Sequence, residues 1–171
     1  MVGLQLTLFG GFDARCASGV ANLPTKKAQA LLAYLALRPG QSHPRDKLAA
    51  LLWGDKSDEQ ARGDLRHALV GLRRALSVMT PSPLRVEGRI LSLGPDGLEV
   101  DVVRFEQCIA EGAPAALEAA AELYRGDLLL GFTLSEPLFE DWLVAERERL
   151  RSITPPRKLP KRLFWPPVGI R

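Results

Sequence analysis

Apolar residues recur along this chain with two periods. From Leu4 to Phe9 they alternate, with Leu4, Leu6 and Leu8 on one side and Gln5 and Thr7 on the other, which predicts a half-buried strand. Gly10-Gly11 allows a turn, Phe12–Arg15 returns as a second strand, and Ser18-Gly19 leads to a short third at Val20–Leu23. The chain therefore opens with a small antiparallel sheet. The helical period then takes over. Thr25 caps a helix to about Leu37 that buries Ala28, Leu31, Leu32, Leu35 and Ala36, and Arg38-Pro39-Gly40 ends it. Pro44 suits the first position of a second helix, which buries Leu48, Leu51 and Leu52 and closes at Trp53-Gly54, with Trp53 as a core anchor.

The third helix, Ser57–Ser77, carries two stripes. Leu65, Leu69, Leu72 and Leu76 step by four, three and four, which is a core face. Arg62, Arg66 and Arg73 step by four and seven, and at about 100° per residue their stripe lies roughly 70° around from the leucines. Ser57 and Gln60 fit a capping box, Asp58 and Glu59 suit the positive end of the helix dipole, and Arg73 and Arg74 suit its negative end. Gly63 and Gly71 each weaken the helix by about 1 kcal/mol, so close approach of another surface is expected at one of them.

Beyond Thr80–Pro83, the segments Leu84–Glu87 and Ile90–Leu93 flank Gly88-Arg89 as a hairpin, and Leu98–Val100 follows the Pro95-Asp96-Gly97 turn as a last strand. Asp101 reads as the N-cap of a helix over Val102–Glu111, Ala115–Leu123 as a second helix, and Asp127–Ser135 as an apolar loop. Pro137 starts a final helix to about Leu150 that buries Leu138, Trp142, Leu143 and Leu150. The pattern divides the chain into 1–100, 101–151 and a proline-rich basic tail over 152–171, expected to be extended and disordered.

The net charge of +3 conceals an asymmetry: residues 1–100 carry +4, residues 101–150 carry −7, and residues 151–171 carry +6. A polyanionic partner for the first segment fits this balance. Cys16 and Cys108 make neither a disulfide framework nor a metal site, and the N-terminus lacks the pattern of a signal peptide. No apolar run approaches the ~18 residues of a membrane span, so a cytoplasmic protein is expected. Nucleophile–base pairs, phosphate loops and metal-ligand clusters are all missing from the sequence, which argues against an enzyme and implies no catalytic residue, cofactor or metal.

Order carries the functional reading. Strands, helix, helix, capped basic helix and hairpin predict a mainly α fold with small antiparallel β, a winged helix-turn-helix followed by a partial helical-repeat segment. The third helix would enter a DNA major groove, about 12 Å wide, where arginine pairs with guanine O6 and N7. Arg62 and Arg66 are the expected base contacts, with His67 beside them. Arg73 and Arg74 are expected phosphate contacts, and Arg85 and Arg89 contacts from the wing. Lys26 and Lys27 are expected to be exposed.

Lys26–Leu76 resembles the antibiotic-regulatory-protein class of bacterial transcriptional activators, the SARP type, whose DNA-binding domain is similar to the OmpR-type winged helix. The marks are the Ala-Leu-Leu-Ala-Tyr-Leu-Ala-Leu run, the Leu51-Leu52-Trp53 closing the second helix, and Ala61-Arg62, Leu65-Arg66, Leu69, Leu72-Arg73 and Leu76. The resemblance continues into a bacterial transcriptional activator domain. Asp101–Phe105 looks like its opening, Tyr124–Phe132 its Y-x-G-x-L-L-x-G-F motif, and Phe139–Leu143 with Glu146-Arg147 the helix that follows. The resemblance implies tetratricopeptide-like helical pairs, promoter DNA as partner, contact with RNA polymerase, and homodimers on DNA. The family domain normally continues with several more helices, so a shortened activator domain, from truncation or a change of frame, is expected here. The alternative is a shortened regulator acting as a protein-interaction module or competitor without activation. The 50-residue remnant must dock on the first domain, pair with a second chain, or stay partly open.

Overall fold

A computed structural model describes residues 3–156. The fold is mixed α/β, with six helices and seven short strands among those residues. They run β1 (Leu4–Thr7), β2 (Asp13–Cys16), β3 (Gly19–Val20), α1 (Lys26–Ala36), β4 (His43–Pro44), α2 (Arg45–Leu52), α3 (Asp58–Ala75), β5 (Leu84–Glu87), β6 (Ile90–Leu93), β7 (Leu98–Val100), α4 (Asp101–Glu111), α5 (Pro114–Leu123) and α6 (Pro137–Ile153).

The strands form two sheets, ordered β3-β2-β1-β7 and β4-β6-β5. β1 pairs antiparallel with β2, placing Leu6 opposite Ala14, and parallel with β7, placing Leu6 opposite Val100. The opening sheet is thus not purely antiparallel. β1 has a second edge to satisfy, and β7 supplies it from ninety residues away. In the other sheet the β5–β6 hairpin sets Arg85 opposite Ser92 and turns at Gly88, whose φ of +59° suits glycine. Its far edge takes β4, with His43 opposite Leu91. Pro44 therefore caps α2 from an extended conformation instead of opening it.

Side-chain caps set the helix starts. The Thr25 hydroxyl accepts from the Ala28 N–H at 3.1 Å, and the Ser57 hydroxyl from the Gln60 N–H at 3.3 Å. All four leucines of the α3 stripe are buried. Gly71 is the glycine that admits a neighbour: a Cβ there would lie 2.9 Å from Cγ of Pro24, whereas nothing lies within 4 Å of one at Gly63.

Residues 101–153 dock on the first hundred. Phe9, just past β1, packs edge-on against Phe105 and at a tilt against Tyr124, with ring centroids 5.2 and 4.8 Å apart. Asp101 does not cap α4. Val100 occupies that position, and the Asp101 carboxylate reaches back to accept from the N–H groups of Leu8 and Phe9 as well as Val102. Burial pushes its pKa up against those hydrogen bonds. In the 124–136 loop, Asp127 accepts from the Tyr124 hydroxyl at 2.7 Å and pairs with Arg151, which holds its carboxyl down at about 2. Arg147 donates to the carbonyls of Leu128 and Leu129, both at 2.8 Å, fixing a turn in which Leu129 has a φ of +49°.

α6 buries Phe139, Leu143 and Leu150, and Trp142 packs half-buried on Tyr34 of α1 with centroids 4.9 Å apart. Leu138 is 55% exposed, because the inward phase of the helix begins at Phe139. The helix also runs on to Ile153, past the expected end near Leu150, so Ser152 and Ile153 belong to it and not to the tail. The expected tail from residue 157 on lies outside the described residues.

Candidate nucleic-acid interface

α2 and α3 are joined by a short connection, and the β5–β6 hairpin follows α3. Where the start of α2, the outer face of α3 and the hairpin turn meet, they enclose a groove of about 160 Å3. Arg45, Asp46, Arg62, Arg66 and Arg89 line it, over a floor of Leu65 and Leu69. The leucine stripe therefore does more than fill the core. By burying Leu65 and Leu69 it fixes the rotation of α3 so that Arg62 and Arg66 face outwards side by side. The backbone N–H of Arg45 donates to the carbonyl of Arg89 at 2.8 Å, which ties the hairpin turn to the start of α2.

Four guanidinium groups in one groove repel one another, and water or a counter-charge must offset that. Asp46 supplies one carboxylate: its Oδ1 accepts from Nε of Arg62 at 2.9 Å, and both side chains are 57% exposed. Arg45 is half-buried, and its Nε has no hydrogen-bond partner among the described residues. A site with four cations, one anion and a buried donor in search of an acceptor suits an anionic, oxygen-rich partner.

The remaining sequence-predicted residues do not line this groove. Arg73 is exposed on the arginine stripe, two turns beyond Arg66 and thus about 10 Å along the axis. His67 and Arg74, seven residues apart, share a different exposed face of α3. Arg85 lies near the base of the hairpin, against Gly94, with Nη2 3.4 Å from Asp96. The structure thus brings together Arg62, Arg66 and Arg89, and leaves His67, Arg73, Arg74 and Arg85 outside the groove.

Arg45 and Asp46 were missed in the sequence. A signal was present for Arg45: a basic residue opening a helix opposes the helix dipole and calls for a reason. Lys27 was expected to be exposed. Instead its Nζ lies 2.6 Å from the buried carboxylate of Glu136 and 5.4 Å from the Trp53 ring centroid. Glu136 also accepts from the N–H of Gly54, at 3.3 Å, in the connection between α2 and α3. That connection is consequently held from the α6 side of the molecule.

No protein-family model and no curated protein matches the chain. Among solved structures, Mycobacterium tuberculosis EmbR in complex with a low-affinity phosphopeptide matches with a TM-score of 0.69 over 88% of this chain, at 22% identity. The fold resembles that of EmbR. The chain spans 43% of the length of the EmbR chain, and at this identity the likeness is one of fold. No helix among the described residues is long and apolar enough to cross a membrane. No group of His, Cys, Asp and Glu among them is arranged to hold a metal ion.

Proposed function

We propose that this chain is a cytoplasmic transcription regulator of the SARP type that binds double-stranded DNA in a sequence-dependent way through a winged helix-turn-helix. In this reading residues 1–100 form the DNA-binding domain and residues 101–151 a helical activator segment packed on it. α3 is the recognition helix and the β5–β6 hairpin the wing. The convergence of Arg45, Arg62, Arg66 and Arg89 from three elements on one groove carries the proposal. A core requires none of them, and a solvated face would not collect them from separate parts of the sequence. The family resemblance of Lys26–Leu76 and the EmbR-like fold support the same class.

The mechanism follows from charge and shape. The basic surface draws the duplex in, and each phosphate neutralised releases counterions. Arg62 and Arg66, on the first half of α3, reach base edges in the major groove. Arg73, further along the stripe, meets the backbone, and Arg89 at the hairpin turn reaches a flanking phosphate or the minor groove.

The test is selection from a pool of randomised duplexes by the full chain, followed by affinity measurements on the enriched sequence at several salt concentrations. Binding should fall steeply with salt, with a log–log slope of about −0.9 for each phosphate contacted. Arg62→Ala with Arg66→Ala should erase sequence preference while keeping salt-sensitive binding to random DNA. Unchanged preference in that double variant would sink the assignment of α3.

A further inference from the structure

We propose that Asp46, a residue of α2, determines specificity by holding Arg62 for base reading and withholding it from the phosphate backbone. The inference rests on the DNA-reading role of α3 proposed above. Its observation is the acidic side chain within a basic groove: Asp46 lines the site with Arg45, Arg62, Arg66 and Arg89, and its Oδ1 sits 2.9 Å from Nε of Arg62.

A surface ion pair of this exposure adds little to folding stability. A carboxylate at the mouth of a DNA groove also weakens the attraction for phosphate, so its net effect on non-specific binding is unfavourable. Its benefit lies in geometry. Arginine is a flexible side chain with a planar fork of five N–H donors, and discrimination requires that fork to meet guanine O6 and N7 in one orientation. Asp46 occupies Nε and leaves the terminal nitrogens of Arg62 to donate. That side chain is thereby biased toward one orientation before DNA arrives. The same carboxylate repels any phosphate approaching Arg62, so the wrong use of this arginine is penalised while the right one is prepared. Arg66, with no carboxylate partner among the described residues, keeps the freedom to serve base or backbone.

The consequence is a trade between affinity for all DNA and preference among sequences. Removing Asp46 frees Arg62 to neutralise a phosphate. Asp46→Ala, and the isosteric Asp46→Asn as a control for folding, should bind random duplex about 3- to 10-fold more tightly at 0.1 M salt. The salt slope of Asp46→Ala should steepen by about 0.9, the signature of one added phosphate contact. In selection from the randomised pool, Asp46→Ala should lose preference at one base position, the same position that Arg62→Ala loses, whereas Asp46→Asn, whose amide Oδ1 still accepts from Nε of Arg62, should keep part of it.

Three outcomes decide the matter. Loss of the shared position together with a steeper slope supports the proposal. If Arg62→Ala loses a position that both Asp46 variants keep, with the slope unchanged, Asp46 is a bystander and the inference is overturned while α3 stands. If Arg62→Ala and Arg66→Ala lose no position at all, the recognition-helix reading fails, and the role of Asp46 fails with it.

Discussion

Glu136 offers the sharpest test of how the two parts of the molecule are joined. Its side chain is 4% exposed and makes two contacts: the Lys27 ammonium at 2.6 Å and the Gly54 N–H at 3.3 Å. Glu136→Ala leaves a cation and a backbone donor without their acceptor. Breaking a buried pair from one side costs about 3–5 kcal/mol. Lys27 is 27% exposed and can turn partly to water, which puts the expected loss near the lower end of that range, about 3 kcal/mol. Glu136→Gln keeps an acceptor for Gly54 and removes only the charge, so a loss of about 1–2 kcal/mol is expected. With Lys27→Met in the background the effect of Glu136→Gln should shrink, since the cation that needed the carboxylate is gone. Urea unfolding of the full chain measures all of these. With a slope of about 2 kcal/mol per molar, Glu136→Ala should lower the midpoint by about 1.5 M. A shift smaller than roughly 0.25 M for Glu136→Ala, or strict additivity in the double variant, would refute the picture of a buried, coupled pair.

The two α3 glycines should respond in opposite ways. Gly63→Ala faces open space and should stabilise by about 0.5–1 kcal/mol through helix propensity, whereas Gly71→Ala drives a Cβ to 2.9 Å from Pro24 and should be neutral or destabilising in thermal unfolding. Asp127 gives a pH signature. Its carboxyl is held at about 2 by Arg151 and Tyr124, below the ordinary 3.8, so its stabilising effect is present above pH 4 and disappears as pH falls through 2. The difference in urea midpoint between the unsubstituted chain and Asp127→Asn should therefore be largest above pH 4 and close between 4 and 2. A difference that stays constant across that window would show that the carboxylate's charge is immaterial.

The order of elements was legible in the sequence because each was marked by more than one local signal. α3 combined a leucine period, a Ser57 cap, acidic residues at its start and arginines at its end, all pointing to one helix. The β5–β6 hairpin was marked by apolar runs around Gly88-Arg89. What escaped was the long-range pairing. β4 is two residues long, and nothing within His43–Pro44 announces a strand, since its partner β6 lies almost fifty residues away. Asp101 sat where an N-cap belongs and was drawn instead to the backbone of Leu8 and Phe9. The arginine stripe could be read from helical spacing, but Arg45 and Asp46 joined the site only through the packing of α2 against α3. Lys27 looked like any exposed lysine at a helix start because Glu136 is over a hundred residues distant.

The pairing of β1 with β7 has a consequence for how this chain acquires its structure on the ribosome. Leu4 cannot meet Leu98, nor Leu8 the carboxylate of Asp101, until both ends of that long span have been made. At about 5–20 residues per second, synthesis separates the emergence of β1 from that of β7 by roughly 5–20 seconds. Throughout that interval the apolar face of β1 and its free hydrogen-bonding edge are exposed to neighbours, while the local contacts of the helices between them can form quickly. β1, paired early with β2 on one edge, waits longest for its other, and a substitution in β7 should therefore reduce the yield of soluble protein in the cell by more than its effect on equilibrium stability accounts for.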